Sequence, residues 1–139
     1  MSDPQIAFQI TLNIGGEKFN LVEEKTREIL GRHGFGVITE INVQAVLKKK
    51  INVEMKPYLI LGACSPTHAH NIINADPITG IFLPCNVVIY VDDEDNIIVA
   101  AMNPSPVLGL ANNNEVQKIA DEVGEILKKV LEEVEKEFS

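Results

Sequence analysis

The chain has 139 residues, close to the commonest size of one domain, and 45% hydrophobic with 23% charged residues is an ordinary globular composition. Its net charge of −8 argues against nucleic-acid binding, which needs a basic patch, and against a polybasic membrane anchor. Apolar runs fall short of the ~20 residues that cross a bilayer, and the N-terminus lacks a signal-peptide pattern. We therefore expect a single cytoplasmic domain over residues 1–139.

Hydrophobic periodicity predicts four elements in the first part of the chain. Strict alternation predicts a strand over residues 5–13, and helical spacing predicts an amphipathic helix over residues 17–32. A second strand is expected over residues 35–41. A short helix follows over about residues 43–50, and Asn42 is placed to cap it.

The middle of the chain is predicted to hold a strand, a helix and a hairpin of two further strands. An apolar strand covers residues 58–64, and Ser65 followed by proline is a good start for a helix that runs to about residue 75. Residues 81–91 read as one strand interrupted at Pro84. An acidic turn then leads into a strand over residues 97–102, so the two flanking runs predict an antiparallel hairpin.

The C-terminal part predicts a loop and then a long helix. Residues 103–106 read as the loop, and an asparagine within 112–114 can cap the helix. The element order is β-α-β-α-β-α-β-β-α, which predicts an α+β fold with a single sheet and helices packed mainly on one face. The apolar stripe of the last helix consists of Val116, Ala120, Val123, Leu127, Val130, Val134 and Phe138.

The two cysteines, Cys64 and Cys85, are the clearest chemical signal in the sequence. In an intracellular chain they are free thiols, a redox pair or metal ligands. Cys64 closes a predicted strand just before a helix N-terminus, where the helix dipole favours the reactive thiolate. Cys85 follows the strand break at Pro84, so both thiols could lie near one end of the sheet. The alternative is that both are inert core cysteines.

Other polar features favour structural roles. His68 and His70 are two residues apart on a helix and point to different faces, and their spacing from the cysteines matches no zinc-finger template. The glycines of residues 31–36 predict a helix end and a tight turn rather than a dinucleotide site. The acidic run 92–95 predicts a solvated turn rather than a calcium loop.

Several blocks of the sequence resemble the domain of unknown function 302 family, over about residues 5–137. The most specific are Leu-Gly-Ala-Cys at 61–64 and Leu-Pro-Cys-Asn at 83–86, which occur together with the blocks 34–41 and 47–50. The resemblance implies a TATA-binding-protein-like fold and a homodimer. It implies neither DNA binding nor an established activity.

The resemblance also implies a shared site. Two positions depart from the family pattern: Asn42 replaces the usual Asp, and Ser65 replaces the usual Asn before Pro66. An acid–base role at position 42 is therefore not carried over. The positions that match the pattern are Glu40, Lys50, Cys64, His70 and Cys85.

The leading hypothesis is a small dimeric protein that binds a small ligand or a metal at the two cysteines, or performs thiol, persulfide or redox chemistry there. Cys64 would be the nucleophile or soft ligand, Cys85 the resolving thiol or second ligand, and His70 a base or ligand. The sequence identifies neither a cofactor nor the metal. The additional ligand-binding candidates are Glu40, Lys50 and Asn86.

Two other hypotheses remain open. The chain could be a non-enzymatic dimeric interaction module with structural cysteines, which docks a partner through its dimer interface or its acidic last helix. It could also be a carrier that holds an apolar ligand in a groove between the sheet and the long helix.

Overall fold

A computed structural model describes residues 6–139, so Gln5 of the predicted first strand lies outside the described residues. The predicted single sheet is confirmed: it has five antiparallel strands in the order β1-β5-β4-β3-β2, which makes β1 and β2 the edges. The strands are β1 Ala7–Leu12, β2 Gly36–Asn42, β3 Tyr58–Cys64, β4 Cys85–Val91 and β5 Ile97–Met102.

The helices follow the predicted order, with one short helix added before the last. Asparagine side chains cap three of them. Asn42 accepts a hydrogen bond from the amide of Ala45, Asn103 accepts from that of Ser105, and Asn113 accepts from those of Glu115 and Val116. The helices are α1 Phe19–Arg32, α2 Val43–Ile51, α3 Pro66–Ala75, α4 Pro104–Gly109 and α5 Asn114–Glu137, and Gly16–Lys18 and Pro77–Phe82 form 3-10 turns.

Two segments differ from the sequence-based prediction. The expected interrupted strand over 81–91 begins only at Cys85, because Pro77–Phe82 forms a 3-10 helix instead. The buried hydroxyl of Thr79 donates to the carbonyl of Asp76 at 2.6 Å, which holds that turn closed. The expected loop over 103–106 opens α4, because Pro104 lies in its first turn and the side chain of Asn103 accepts from the next free amide.

The main core lies between one face of the sheet and two helices, as predicted. Alternate residues of the strands, such as Leu61 and Ile89, are fully buried against α1 and α5. The predicted stripe of α5 supplies Val123, Leu127 and Val130 to this core. A smaller apolar cluster joins α3, α4 and the start of α5. The five-stranded sheet therefore has its helical layer on one side.

The other face of the sheet and its β2 edge are more open. Tyr58 and Tyr90 are paired across β3 and β4, and their rings stack with centroids 5.1 Å apart. All nine residues of α2 remain at least partly exposed. Each helix within residues 6–139 is too short or too polar to span a membrane.

Candidate functional site

The fold brings the two cysteines to the same end of the sheet. β3 ends at Cys64, the antiparallel β4 begins at Cys85, and Ala63 lies directly opposite Cys85 in the register. The prediction that both thiols lie near one sheet end is therefore confirmed. Both are free thiols in the described chain.

A cavity of about 300 Å³ opens at this end of the sheet, and both cysteines line it. Its other walls come from the ends of the strands, α3, α4 and α5. These walls are mainly apolar, so the cavity suits a small molecule with an apolar surface. Representative wall residues are Ile38, Ile72, Pro84, Leu108 and Val123.

The two thiols have different environments within this cavity. Cys85 is 5% exposed, and burial, with a smaller contribution from Cys64, raises the pKa of its thiol to about 11. Cys85 is therefore a neutral, protonated thiol at physiological pH. Cys64 is only partly buried, at the point where β3 leaves the sheet and α3 begins. Cys64 is therefore more accessible than Cys85 to a reagent or ligand in the cavity.

Three polar side chains form one corner of the cavity and its rim. Ser65, at the start of α3, has its hydroxyl oxygen 2.6 Å from Nδ1 of His68. The other ring nitrogen, Nε2, lies 3.7 Å from the carboxylate of Glu122 on α5. Ser65 and His68 line the cavity, and Glu122 lies on the outer side of the imidazole with its side chain 65% exposed.

His68, rather than the expected His70, is the cavity histidine. His70 is exposed on α3 and lies outside the cavity lining among the described residues. One sequence signal did point to His68: it shares a helix face with Ile72, which is 2% exposed and lines the same cavity. A face that carries a buried isoleucine turns towards the protein interior.

The other predicted ligand-binding residues lie apart from the cavity. Glu40 is exposed on β2, where its carboxylate accepts a hydrogen bond from Arg27 at 3.0 Å. Lys50 belongs to α2, which joins β2 to β3 at the end of the sheet opposite the thiols. Asn86 follows Cys85 directly, but alternation along β4 turns its exposed side chain to the open face of the sheet.

A metal centre is not favoured by the side chains that meet here. Within residues 6–139, no three His, Cys, Asp or Glu side chains come together in an arrangement that could hold a metal ion. Cys64, Cys85 and His68 all line the cavity but are not grouped as the ligands of one metal ion, and the imidazole of His68 lies against the Ser65 hydroxyl.

Comparison with known proteins agrees with the architecture. Residues 10–134 match the domain of unknown function DUF302. The chain belongs to the DUF302 family. A solved structure, the uncharacterized conserved protein DUF302 from Bacillus stearothermophilus, is 26% identical, with a TM-score of 0.81 over 91% of this chain and 95% of that one. None of the curated proteins compared with the chain matches it. The DUF302 relationship thus supports the fold and leaves the chemistry of the cavity to its own residues.

Proposed function

We propose that the chain binds a small, largely apolar molecule in the cavity lined by Cys64 and Cys85. One observation carries the proposal: the two thiols share an apolar cavity of about 300 Å³, which is within the size range of small-molecule sites. The cavity lies where β3 gives way to α3, and side chains from six different helices and strands surround it.

The exposed side chains at the rim of the cavity favour the proposal that the ligand is apolar. Ile38 and Ile73 line the cavity and are nevertheless 62% and 43% exposed. Ile81, in the 3-10 turn that borders the cavity, is 73% exposed. Large aliphatic side chains left in water around a concave site gain free energy when an apolar partner covers them.

The two cysteines have different roles in this proposal. Cys64 is the sulfur that contacts the ligand, and Cys85 acts as part of the apolar wall. The raised pKa of Cys85 disfavours a resolving role, because the thiolate is the form that attacks a disulfide. Ligand binding therefore fits the cavity better than a dithiol redox cycle does.

Alkylation of Cys64 tests the proposal with indole as the apolar probe. Purified protein is treated with N-ethylmaleimide, and the modification of each cysteine is followed by mass spectrometry at increasing indole concentration. Occupancy of the cavity should slow alkylation of Cys64 in a saturable way. An alkylation rate that does not respond to indole up to its solubility would contradict the proposal.

A matched pair of variants separates cavity filling from a general effect. Ala69 lines the cavity on α3, so Ala69→Phe fills it and should remove the protection by indole. Ala45 is exposed on α2, and Ala45→Phe should retain full protection. Equal behaviour of the two variants would show that indole acts elsewhere.

A homodimer formed along β2 is a second candidate function, in which the chain acts as an interaction module. β2 is an edge strand, so one side of its backbone has no partner strand within the described chain. Ile41 on this strand and Ile51 and Val53 after it are 48%, 63% and 41% exposed. Sedimentation of Ile41→Lys tests the proposal: a dimer that becomes a monomer supports it, and a monomeric wild-type chain excludes it.

We further infer a cytoplasmic location. Its support is that Cys64 and Cys85 line one cavity as free thiols, the form that reducing compartments maintain.

A further inference from the structure

The polar corner of the cavity combines a hydroxyl, an imidazole and a carboxylate in series. The hydroxyl of Ser65 lies 2.6 Å from Nδ1 of His68, and Nε2 of the same ring lies 3.7 Å from the carboxylate of Glu122. The serine and the histidine border the apolar space, whereas the glutamate approaches the ring from α5. A hydroxyl bonded to an imidazole that is backed by a carboxylate is the arrangement that activates a serine nucleophile.

The bond that Ser65 makes is unusual for a residue at the start of a helix. An N-cap serine ordinarily accepts a hydrogen bond from a first-turn amide. Within the described chain, the Ser65 side chain makes no such bond, and its hydroxyl meets the imidazole instead. The amides of Thr67 and His68 thereby lack the cap that this serine would supply, and they remain as donors at the positive end of α3.

We propose that Ser65 is a nucleophile for hydrolysis of small esters with a short apolar acyl group. The inference rests on the proposed function, because the acyl group would occupy the Cys64–Cys85 cavity. The apolar walls set the substrate class, since a charged acyl chain would lose its hydration there without a compensating partner. His68 is the general base, and Glu122 is a positioning residue that holds the imidazole.

The proton and the electron pairs balance in two half-reactions. In the first, Oγ of Ser65 attacks the carbonyl carbon while its proton moves to Nδ1 of His68, and the first-turn amides of α3 donate to the oxyanion. The intermediate collapses with cleavage of the ester C–O bond, and Nδ1 returns the proton to the departing alcohol oxygen. The product of this half-reaction is acylated Ser65.

In the second half-reaction, a water molecule attacks the acyl carbon and gives one proton to Nδ1 of His68. The C–O bond to Ser65 then breaks, and Oγ takes the proton back as the carboxylic acid leaves. The sum is ester plus water to carboxylic acid plus alcohol, with no oxidant or reductant. Throughout, the carboxylate of Glu122 stabilises the transient imidazolium.

Cys64 is the competing nucleophile in the same cavity. The imidazole distinguishes the two, because its Nδ1 lies 2.6 Å from the Ser65 hydroxyl oxygen. In the tautomer that carries the ring proton on Nε2, which faces Glu122, Nδ1 accepts from that hydroxyl and is placed to deprotonate the serine. The experiment must separate these two residues. Covalent labelling does so, since a fluorophosphonate reacts with activated serines and the modified residue can be located by mass spectrometry.

Hydrolysis of p-nitrophenyl butyrate by the folded chain is the main assay. Ser65→Ala and His68→Gln should each lower kcat/KM by about 100-fold or more, the usual scale for loss of a nucleophile or general base. His70→Gln, an exposed histidine on the same helix, is the matched control and should leave kcat/KM unchanged. Cys64→Ala changes a wall of the acyl cavity and should raise KM, with kcat kept within a few-fold. A fluorophosphonate should modify Ser65 in the wild-type chain.

Glu122 needs a readout that a purely structural role would not change. Glu122→Gln should lower kcat by about 3- to 10-fold with little change in KM, because the carboxylate acts on the imidazole rather than on the ester. Glu122→Asp should recover part of that loss. Glu125→Gln, at another exposed position of α5, is the control and should leave both constants unchanged.

Three results would overturn the inference. They are a wild-type rate no higher than that of the unfolded chain, an activity lost in Cys64→Ala but kept in Ser65→Ala, and fluorophosphonate modification elsewhere than Ser65. Fluorophosphonate labelling of the wild-type chain identifies the nucleophile even where a variant fails to fold. Indole protection of Cys64 is measured separately, so a failure of ester hydrolysis can be told from a failure of ligand binding.

Discussion

The two ends of β3 carry cavities of nearly equal volume but different chemistry. The cavity at the Cys64 end measures about 300 Å³ and has mainly apolar walls, whereas the cavity at the Tyr58 end measures about 310 Å³ and mixes carboxylates and amides with aromatic and aliphatic side chains. Volume alone therefore does not distinguish a candidate site from a surface hollow. The nature of the lining groups and the partners of those groups provide the distinction.

The polar groups at the Tyr58 end already serve the fold. Asn42 caps α2, the side-chain amide of Gln44 donates to the carbonyl of Met55 at 2.8 Å, and Glu23 pairs with Arg27. At the Cys64 end, the hydrogen bond of Ser65 joins it to a titratable ring instead of a backbone group. This contrast supports the proposal that the thiol end serves binding or chemistry, whereas these polar groups at the tyrosine end stabilise the fold.

The largest expected effect is a pH-dependent loss of folding stability, which tests whether the Cys85 thiol is buried. Burial raises the pKa of Cys85 from an ordinary value of 9.0 to about 11, so the folded chain keeps this proton where the unfolded chain releases it. Its contribution to stability is complete below pH 9.0 and is lost as the pH rises towards about 11. The loss should be about 2 to 3 kcal/mol, measured by urea unfolding across that range.

Cysteine variants isolate this contribution from other groups that titrate at high pH, such as Lys25, whose pKa Glu28 raises. Cys85→Ala should be less stable overall but should show a flatter decline with pH. Cys64→Ala should keep most of the decline, because burial is the larger cause of the Cys85 shift. Identical slopes in the wild-type chain and Cys85→Ala would show that Cys85 is not shielded from water.

Much of the fold could be predicted because the hydrophobic periodicity of each strand or helix is visible in its own segment of the sequence. The bounds expected for β3 and β5 are those observed, and the predicted stripe of α5 is the one that packs. The 3-10 turn Pro77–Phe82 was missed because its isoleucines resemble a strand, and its closure depends on the hydroxyl of Thr79. α4 was missed because prolines in its first turn resemble a loop.

The candidate site was only partly predictable. Strand order is enough to bring Cys64 and Cys85 to one end of the sheet, whatever their exact separation. The choice between His68 and His70 depends on the rotation of α3 about its axis, which packing of Ile72 decides. Glu122 comes from a distant helix, and no local pattern connects it with residues 65–68.

A smaller effect is expected where the thiol end is packed most tightly. A Cβ at Gly62 would overlap the side chain of Thr39 and would lie 2.8 Å from Cγ of Pro84, the residue before Cys85. Gly62→Ala should therefore cost about 1 to 2 kcal/mol by overpacking. It should also change the alkylation rate of Cys64, because Pro84 is a wall of the cavity.

Gly36 provides the matched control for Gly62. It lies opposite Cys64 at the same sheet end, but a Cβ there would meet no atom of the described chain within 4 Å. Gly36→Ala should therefore leave the free energy of unfolding and the alkylation rate nearly unchanged. Equal destabilisation by the two substitutions would mean that backbone freedom, rather than contact with Pro84, makes glycine necessary at position 62.

The smallest expected effect concerns Lys50, which the family resemblance implies to be a site residue. β3 has seven residues and spans roughly 20 Å, more than twice the screening length of about 8 Å in physiological salt. Lys50→Ala, at the tyrosine end, should therefore change the alkylation rate of Cys64 by less than about 1.5-fold. Ile38→Lys puts a charge at the cavity rim and should accelerate alkylation several-fold, because a nearby cation favours the thiolate. If Lys50→Ala had the larger effect, the two ends of β3 would be coupled, and Lys50 would belong to the site after all.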